Sequence, residues 1–274
     1  MNKELVNRFL TALVAGTIAM GAIIYAPGGL WLFCVVVSQV GIWEFWKLMG
    51  ITDRRYTWTS WLWGLAGWGL LAAWRVFGID GEGQAWLWAW GLLLFPMMAL
   101  IALFNPKEKD PLRTLSFIGF SYWYAYVPLV LFFLFSVPGP ALWYKYQMPL
   151  GILLLTWFLD SAAYFIGKGF GRHPLFPRIS PKKTWEGSLG AAVVCMGIGV
   201  IFQNFWALPG VNWIIIAGII STASQLGDLV ESMFKRSVHL KDSGSILPGH
   251  GGMLDRFDGL FLSVPFIQLY FILT

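Results

Sequence analysis

Residues 211–236 read VNWIIIAGIISTASQLGDLVESMFKR, and residues 237–258 continue SVHLKDSGSILPGHGGMLDRFD. The first segment is apolar and, at 1.5 Å per residue, about 39 Å long, enough to cross a hydrocarbon core of about 30 Å as a helix. It nevertheless carries Ser221, Thr222, Ser224, Gln225, Asp228 and Glu231 on its way out, and it ends in Lys235-Arg236. The second segment is a basic, glycine-rich loop that closes on Asp255 and Asp258 before the chain turns apolar again. One apolar helix that delivers carboxylates to such a loop, and a second that returns from it, make the chain an all-α polytopic membrane bundle.

Composition agrees outside this stretch. Over 274 residues, charged side chains make up 12% and aromatics 18%, and mean hydropathy is +0.65. A water-soluble domain would expose too much apolar surface at these values. Segments of about 20 apolar residues predict about nine transmembrane helices, near 7–26, 30–49, 59–77, 85–104, 115–136, 148–167, 187–206, 211–236 and 257–274. Turn chemistry separates them: Pro27-Gly28-Gly29, Gly78 to Gly83, Asn105-Pro106, Pro138-Gly139-Pro140 and Pro209-Gly210. The N-terminal run, behind Lys3 and Arg8, reads as a retained anchor because no small-residue cleavage site closes it.

With the N-terminus in the cytoplasm, only Arg75 and Lys145 of the 19 Lys and Arg residues fall on the far side. That is a strong positive-inside bias. The net charge of +5 therefore predicts contact with membrane lipids and no nucleic acid. Cys34 and Cys195 lie in apolar runs and read as packing residues. The chain divides into N-terminal transmembrane helices, residues 1–140 with spans one to five, and a C-terminal catalytic transmembrane region, residues 141–274 with spans six to nine and two cytoplasmic loops.

The first part offers little chemistry. Glu44 reads as the partner of Lys47, three residues on. Ser121, Tyr122, Tyr124 and Tyr126 read as interfacial residues, with a polar cavity as the alternative.

The second part offers two loops. The connection between spans six and seven follows Asp160-Ser161-Ala162-Ala163-Tyr164 and contains Ser180-Pro181-Lys182-Lys183-Thr184 just before a helix start. Helix N-terminal N–H groups beside lysines make a phosphate site, although a plain positive-inside loop has the same composition. The P-loop spacing is absent. Asp160 lies roughly 16 Å along span six, where an ionised carboxylate needs a cavity, a cation or a basic partner. In the other loop, Asp228 with Glu231 and Asp255 with Asp258 form i, i+3 pairs at two helix ends. Two such ends around a basic loop suit Mg²⁺, which takes carboxylates, waters and substrate phosphates. His250 binds phosphate or orders the loop.

Residues 232–258 resemble, over all 27 positions, the signature of the phosphatidate cytidylyltransferases, also called CDP-diacylglycerol synthases. Ser180 to Gly187 and Asp160-Ser161-x-Ala163-Tyr164 resemble two further family motifs. The resemblance implies transfer of CMP from CTP to phosphatidic acid, releasing pyrophosphate and leaving CDP-diacylglycerol for phospholipid biosynthesis. It implies a Mg²⁺-dependent nucleotidyltransferase, with or without a second cation, that forms a homodimer in the inner (cytoplasmic) membrane with its active site facing the cytoplasm. The family's metal-holding aspartates fall on Asp228 and Asp255. Asp228, Asp255, Asp258 and Lys241 are then the catalytic candidates. Ser180, Lys182, Lys183, Thr184, Lys235, Arg236, His250, Arg256 and Asp160 are the candidates to bind substrate.

An enzyme that activates a different lipid phosphate with CTP is the nearest rival. A transporter would account for Asp160 and Asp228 but not for the basic, glycine-rich loops. The D-G-x-x-A-R pattern of CDP-alcohol phosphotransferases is absent.

Overall fold

Runs of apolar residues fold into helices that start and stop where proline, glycine and capping residues interrupt them. The structure, a computed structural model, describes residues 3–77, 82–136, 145–240, 243–244 and 251–274. Helix α1 spans Lys3–Tyr25, α2 Pro27–Met49, α3 Arg54–Phe77 and α4 Glu82–Leu103. Helix α5 (Pro111–Ser121), a π-helical turn (Tyr122–Tyr126) and α6 (Val127–Leu134) follow as one rod, and then come α7 (Gln147–Phe170), α8 (Trp185–Phe205), α9 (Trp213–Ser237) and α10 (Leu254–Leu273). Pro27 opens α2, and Gly50, at φ 75°, closes it in the left-handed region. Asn212 caps α9 by accepting from the Ile214 and Ile215 N–H groups at 3.1 and 3.2 Å.

Each predicted segment falls on one rod of this all-α, membrane-type bundle. Among the described residues six rods are long and apolar enough to cross a membrane: α2, Pro111–Leu134, α7, α8, α9 and α10. Val14–Tyr25 and Ala89–Leu103 are shorter apolar stretches. One departure from the sequence reading lies between α7 and α8. Instead of an irregular loop, β1 (Pro174–Phe176) and β2 (Ser180–Thr184) pair antiparallel, with Pro174 opposite Thr184 and Phe176 opposite Ser180. The two strands are only three and five residues long and include Pro174 and Pro181, which leaves little strand pattern in the sequence.

The π turn has a local cause. Pro128 lacks an N–H, and its ring crowds the carbonyl four residues earlier. The backbone widens just before it, so the Val127 N–H reaches the Tyr122 carbonyl, five residues back.

Where water is scarce, buried polar groups must find protein partners. Trp46 Nε1 donates to Ser121 Oγ at 2.9 Å, Trp68 Nε1 to Ser38 Oγ at 2.9 Å and Tyr126 O–H to the Gly64 carbonyl at 3.0 Å. The Tyr122 hydroxyl donates to the Ser60 carbonyl. Ser121, Tyr122 and Tyr126 therefore bolt α2, α3 and the π turn together. All three are buried in the bundle. Tyr124 packs among Phe45, Phe120, Phe234 and Phe261, joining α2, α5, α9 and α10. Such ring pairs each add about 0.5–1.5 kcal/mol beyond area burial.

Asn105 ties two loops at one end of the bundle. Its Nδ2 donates to Asp53 Oδ2 at 2.8 Å, and its Oδ1 accepts from Arg55 Nη1 at 3.3 Å. The Arg55 N–H, 2.9 Å from Asp53 Oδ1, holds that carboxyl below the usual carboxylate range.

The four C-terminal helices pack against one another more extensively than the other elements do. Gly227 allows the contact nearest the site. A Cβ built there would lie 2.5 Å from the Asp258 carbonyl oxygen, so any side chain would push α9 off α10. Cys34 and Cys195 are buried packing residues, as predicted.

Candidate active site

The end of α7, the hairpin, the beginning of α8, the end of α9 and the beginning of α10 meet around one cavity of about 650 Å³. Its size lies within the range of small-molecule sites, roughly 300–1,000 Å³. Asp160, Lys182, Lys183, Thr184, Asp228, Lys235, Asp255, Arg256 and Asp258 line it. Asp160 is solvent-accessible there, which meets the requirement that its depth along span six imposes.

The hairpin delivers the first cations. Thr184 ends β2 and caps α8, its hydroxyl accepting from the Gly187 N–H at 3.2 Å. The cap stops the strand where Lys182 and Lys183 face the cavity. Lys183 Nζ stands 2.6 Å from Asp228 Oδ2 on α9, and Ser232 Oγ donates to Asp228 Oδ1 at 3.3 Å. Glu186 clasps the hairpin from behind. Its carboxylate accepts from the Arg172 and His173 N–H groups at 3.0 and 3.2 Å and lies 2.5 Å from His173 Nδ1.

Helices α9 and α10 deliver the second set. Lys235 Nζ lies 2.6 Å from Glu231 Oε2 and 2.6 Å from Asp255 Oδ1. Asp255 Oδ2 accepts from the Ser243 N–H, the Ser243 hydroxyl and the Gly252 N–H, at 3.1, 3.0 and 2.8 Å. Asp258 Oδ1 accepts from the Gly259 N–H at 2.7 Å. Glu231 Oε1 is buried and has no hydrogen-bond partner among the described residues.

Charges at the cavity wall come in matched sets. Lys168, Lys182, Lys183, Lys235 and Arg256 face Asp160, Asp228, Glu231, Asp255 and Asp258. A polyphosphate entering this balanced wall brings charge that the wall alone does not neutralise, so an added cation fits the site. The donors fit one too: carboxylate oxygens from three helices are what a hard divalent ion takes. Among the described residues no three of these side chains converge as a metal cage. Lysine ammonium groups instead sit on Asp228 and Asp255, the two carboxylates predicted to hold metal.

Two predicted site residues lie away from the cavity wall. Ser180 opens β2, and Arg236 points outward, its Nη1 donating to the Leu240 carbonyl at 2.9 Å. Lys241 and His250 lie outside the described residues. Lys168, Glu231, Gln225 and Ser188 also line the cavity; none was among the catalytic or substrate-binding candidates, and Glu231 entered only as the i, i+3 neighbour of Asp228. Glu231 and Lys235 sit one helical turn apart, and that i, i+4 spacing was the available signal. Gln225 bridges helices, donating to the Ser188 carbonyl at 3.2 Å and the Ser221 carbonyl at 2.7 Å.

The predicted Glu44–Lys47 pair does not form. Lys47 lies over the Trp43 ring, 5.4 Å from its centroid. Glu44 is fully buried and accepts from the Leu254 N–H at 2.9 Å. The two side chains leave α2 in different directions, and tertiary packing outweighs their spacing.

The cytidylyltransferase family matches this chain over residues 6–274. A phosphatidate cytidylyltransferase of Brucella suis is 32% identical over 269 residues, covering 97% of this chain and 93% of that protein. One from Haemophilus influenzae is 37% identical over 193 residues, covering 66% of this chain and 65% of that protein. One from Bacillus subtilis is 48% identical over 123 residues, which span 44% of this chain and 45% of that protein.

Proposed function

The chain belongs to the cytidylyltransferase family, and on that premise we propose that it transfers CMP from CTP to phosphatidate, forming CDP-diacylglycerol for phospholipid biosynthesis. The observation that carries this reading is the cavity where lysines and carboxylates from α7, the hairpin, α9 and α10 converge. A lipid phosphate oxygen attacks the α-phosphorus of CTP. A new P–O bond forms as the bond to the β-phosphate oxygen breaks, and pyrophosphate leaves with that electron pair. The lipid phosphate is already anionic near neutral pH, so the step needs no strong base. Positioning and charge neutralisation supply the acceleration.

Lys182, Lys183, Lys235 and Arg256 neutralise substrate phosphates from the cavity wall, with Ser180 and Thr184 shaping the hairpin side. Asp160 and Asp258 orient cationic partners. Arg236, at the end of α9, and His250 are further candidates to bind substrate phosphate, and Lys241 to take part in the transfer. Asp228 and Asp255 would hold Mg²⁺, which when bound supplies charge neutralisation at the phosphates; each already faces a cation, in the form of a lysine ammonium. A second cation would draw on the remaining cavity carboxylates, Glu231 and Asp258 among them.

The same reading makes the chain a homodimer that crosses the inner (cytoplasmic) membrane nine times. Its N-terminus and cavity face the cytoplasm, and residues 141–274 form the catalytic part.

Pyrophosphate release by purified protein in detergent tests the reaction. Release is expected only with CTP, phosphatidate and Mg²⁺ together, and a chelator abolishes it. No release from folded, lipid-supplied protein would turn the reading to other lipid phosphates, and then to transport.

A further inference from the structure

Helix α10 begins without a cap of its own. Met253, at the N-cap position, has helical dihedrals (φ −66°, ψ −39°) and no side-chain cap. The first N–H groups of any helix lack intrahelical partners. Here one of them is satisfied from the other half of the chain, where Glu44 Oε2 on α2 accepts from the Leu254 N–H at 2.9 Å.

Glu44 is placed for this task. It is 0% exposed, and no ion pair reaches it among the described residues. A carboxylate buried in a membrane bundle is costly unless something nearby compensates. The positive end of the α10 dipole and its orphan donor offset part of that cost at Oε2, while Oε1 is buried with no hydrogen-bond partner among the described residues. Gly244 and Gly252 both lie against the same group. A Cβ built on Gly244 would have Glu44 Oε1, Cδ and Cγ as its three nearest neighbours, and one on Gly252 would lie 2.6 Å from Glu44 Oε2. Gly252 in turn donates its N–H to Asp255.

We propose that Glu44 is a positioning residue for the transfer reaction: a cap supplied by α2 that fixes the first turn of α10 and so aims Asp255 and Asp258 into the cavity. The inference rests on the assignment of those aspartates to the reaction. Without the cap the first turn frays, and a shift of about 1 Å in a reacting group costs roughly 100-fold in rate.

Hydrogen exchange and steady-state kinetics on the full chain in detergent test it. In Glu44→Ala, amides 254–258 should exchange about tenfold faster, while α7 and α8 keep their protection. The kcat should fall about 10- to 100-fold, with KM for CTP within about threefold of the parent. Glu44→Gln keeps an acceptor for the Leu254 N–H and should recover both protection and most of kcat. Gly244→Ala should lower kcat in the parent and have no further effect in Glu44→Ala.

Parental protection of 254–258 in Glu44→Ala would overturn the proposal. So would a uniform loss of protection across all helices, or a Glu44→Gln variant as damaged as Glu44→Ala. Should the parent release no pyrophosphate, the proposed reaction fails on its own, and the exchange measurement still decides the cap.

Discussion

Lys235 Nζ on α9 stands 2.6 Å from Asp255 Oδ1 on α10, and the Lys235 and Asp255 side chains are each only 10% exposed. The same ammonium is 2.6 Å from Glu231 Oε2, whose side chain is 2% exposed. One cation thus holds two helix ends together and keeps two carboxylates from facing each other unshielded.

Removing that cation should unsettle the fold as well as the chemistry. Lys235→Met leaves Glu231 and Asp255 buried beside each other, and breaking a buried pair costs about 3–5 kcal/mol. A clear drop in melting temperature in detergent is expected, together with lost turnover. A variant that melts with the parent would show that water replaces the ammonium without cost.

Lys183 should behave differently although its ion pair is equally short. The Lys183 and Asp228 side chains are 25% and 39% exposed, so solvent screens the pair to about 0–1 kcal/mol. Lys183→Ala is expected to melt within a few degrees of the parent while KM for CTP or phosphatidate rises about tenfold or more, the loss of one charge-assisted contact. Unchanged KM for both substrates would leave Lys183 as a partner of Asp228 and nothing more.

Asp228→Asn and Asp255→Asn keep side-chain volume but remove charge from the two carboxylates that already hold cations. Each should lower kcat by about 1,000-fold or more, the scale of losing one preorganised electrostatic contact, while helix content by circular dichroism stays parental. A folded Asp255→Asn variant with near-normal turnover would remove that residue from metal binding.

Glu186 gathers the two N–H groups and the ring of the Arg172-His173 turn. Glu186→Ala should free the hairpin without unfolding the bundle. Trypsin is then expected to cut faster at Arg172, Arg178, Lys182 or Lys183, and saturating CTP should slow it again. Cleavage at the parental rate would mean that the Thr184 cap alone holds the hairpin.

The helices were legible because apolar length and proline or glycine punctuation leave a chain in lipid few alternatives: every backbone N–H and C=O must be satisfied within the segment or by close protein neighbours. Asp160, Asp228 and Asp255 stood out for a related reason, since charge is scarce and costly in such segments. The hairpin was not legible, because its strands are only three and five residues long, include Pro174 and Pro181, and lack an apolar–polar alternation. The π turn was not legible either. Pro128 signals a disturbed helix, but which relaxation results depends on what packs around it.

Spacing along one helix predicts neighbours on that helix only. It pointed Glu44 at Lys47, whereas the fold turns Glu44 inward to the first amide of α10 and leaves Lys47 over a tryptophan ring. It noted Asp228, Glu231 and Lys235 on one helix but could not say that Lys183 would take the first and Asp255 share the third. The sequence by itself determined the membrane class, the rods and the residue types that gather at the loops. Only the tertiary structure decided which carboxylate meets which cation. Those pairings depend on how helix faces are rotated and packed against one another, and local sequence spacing does not encode that.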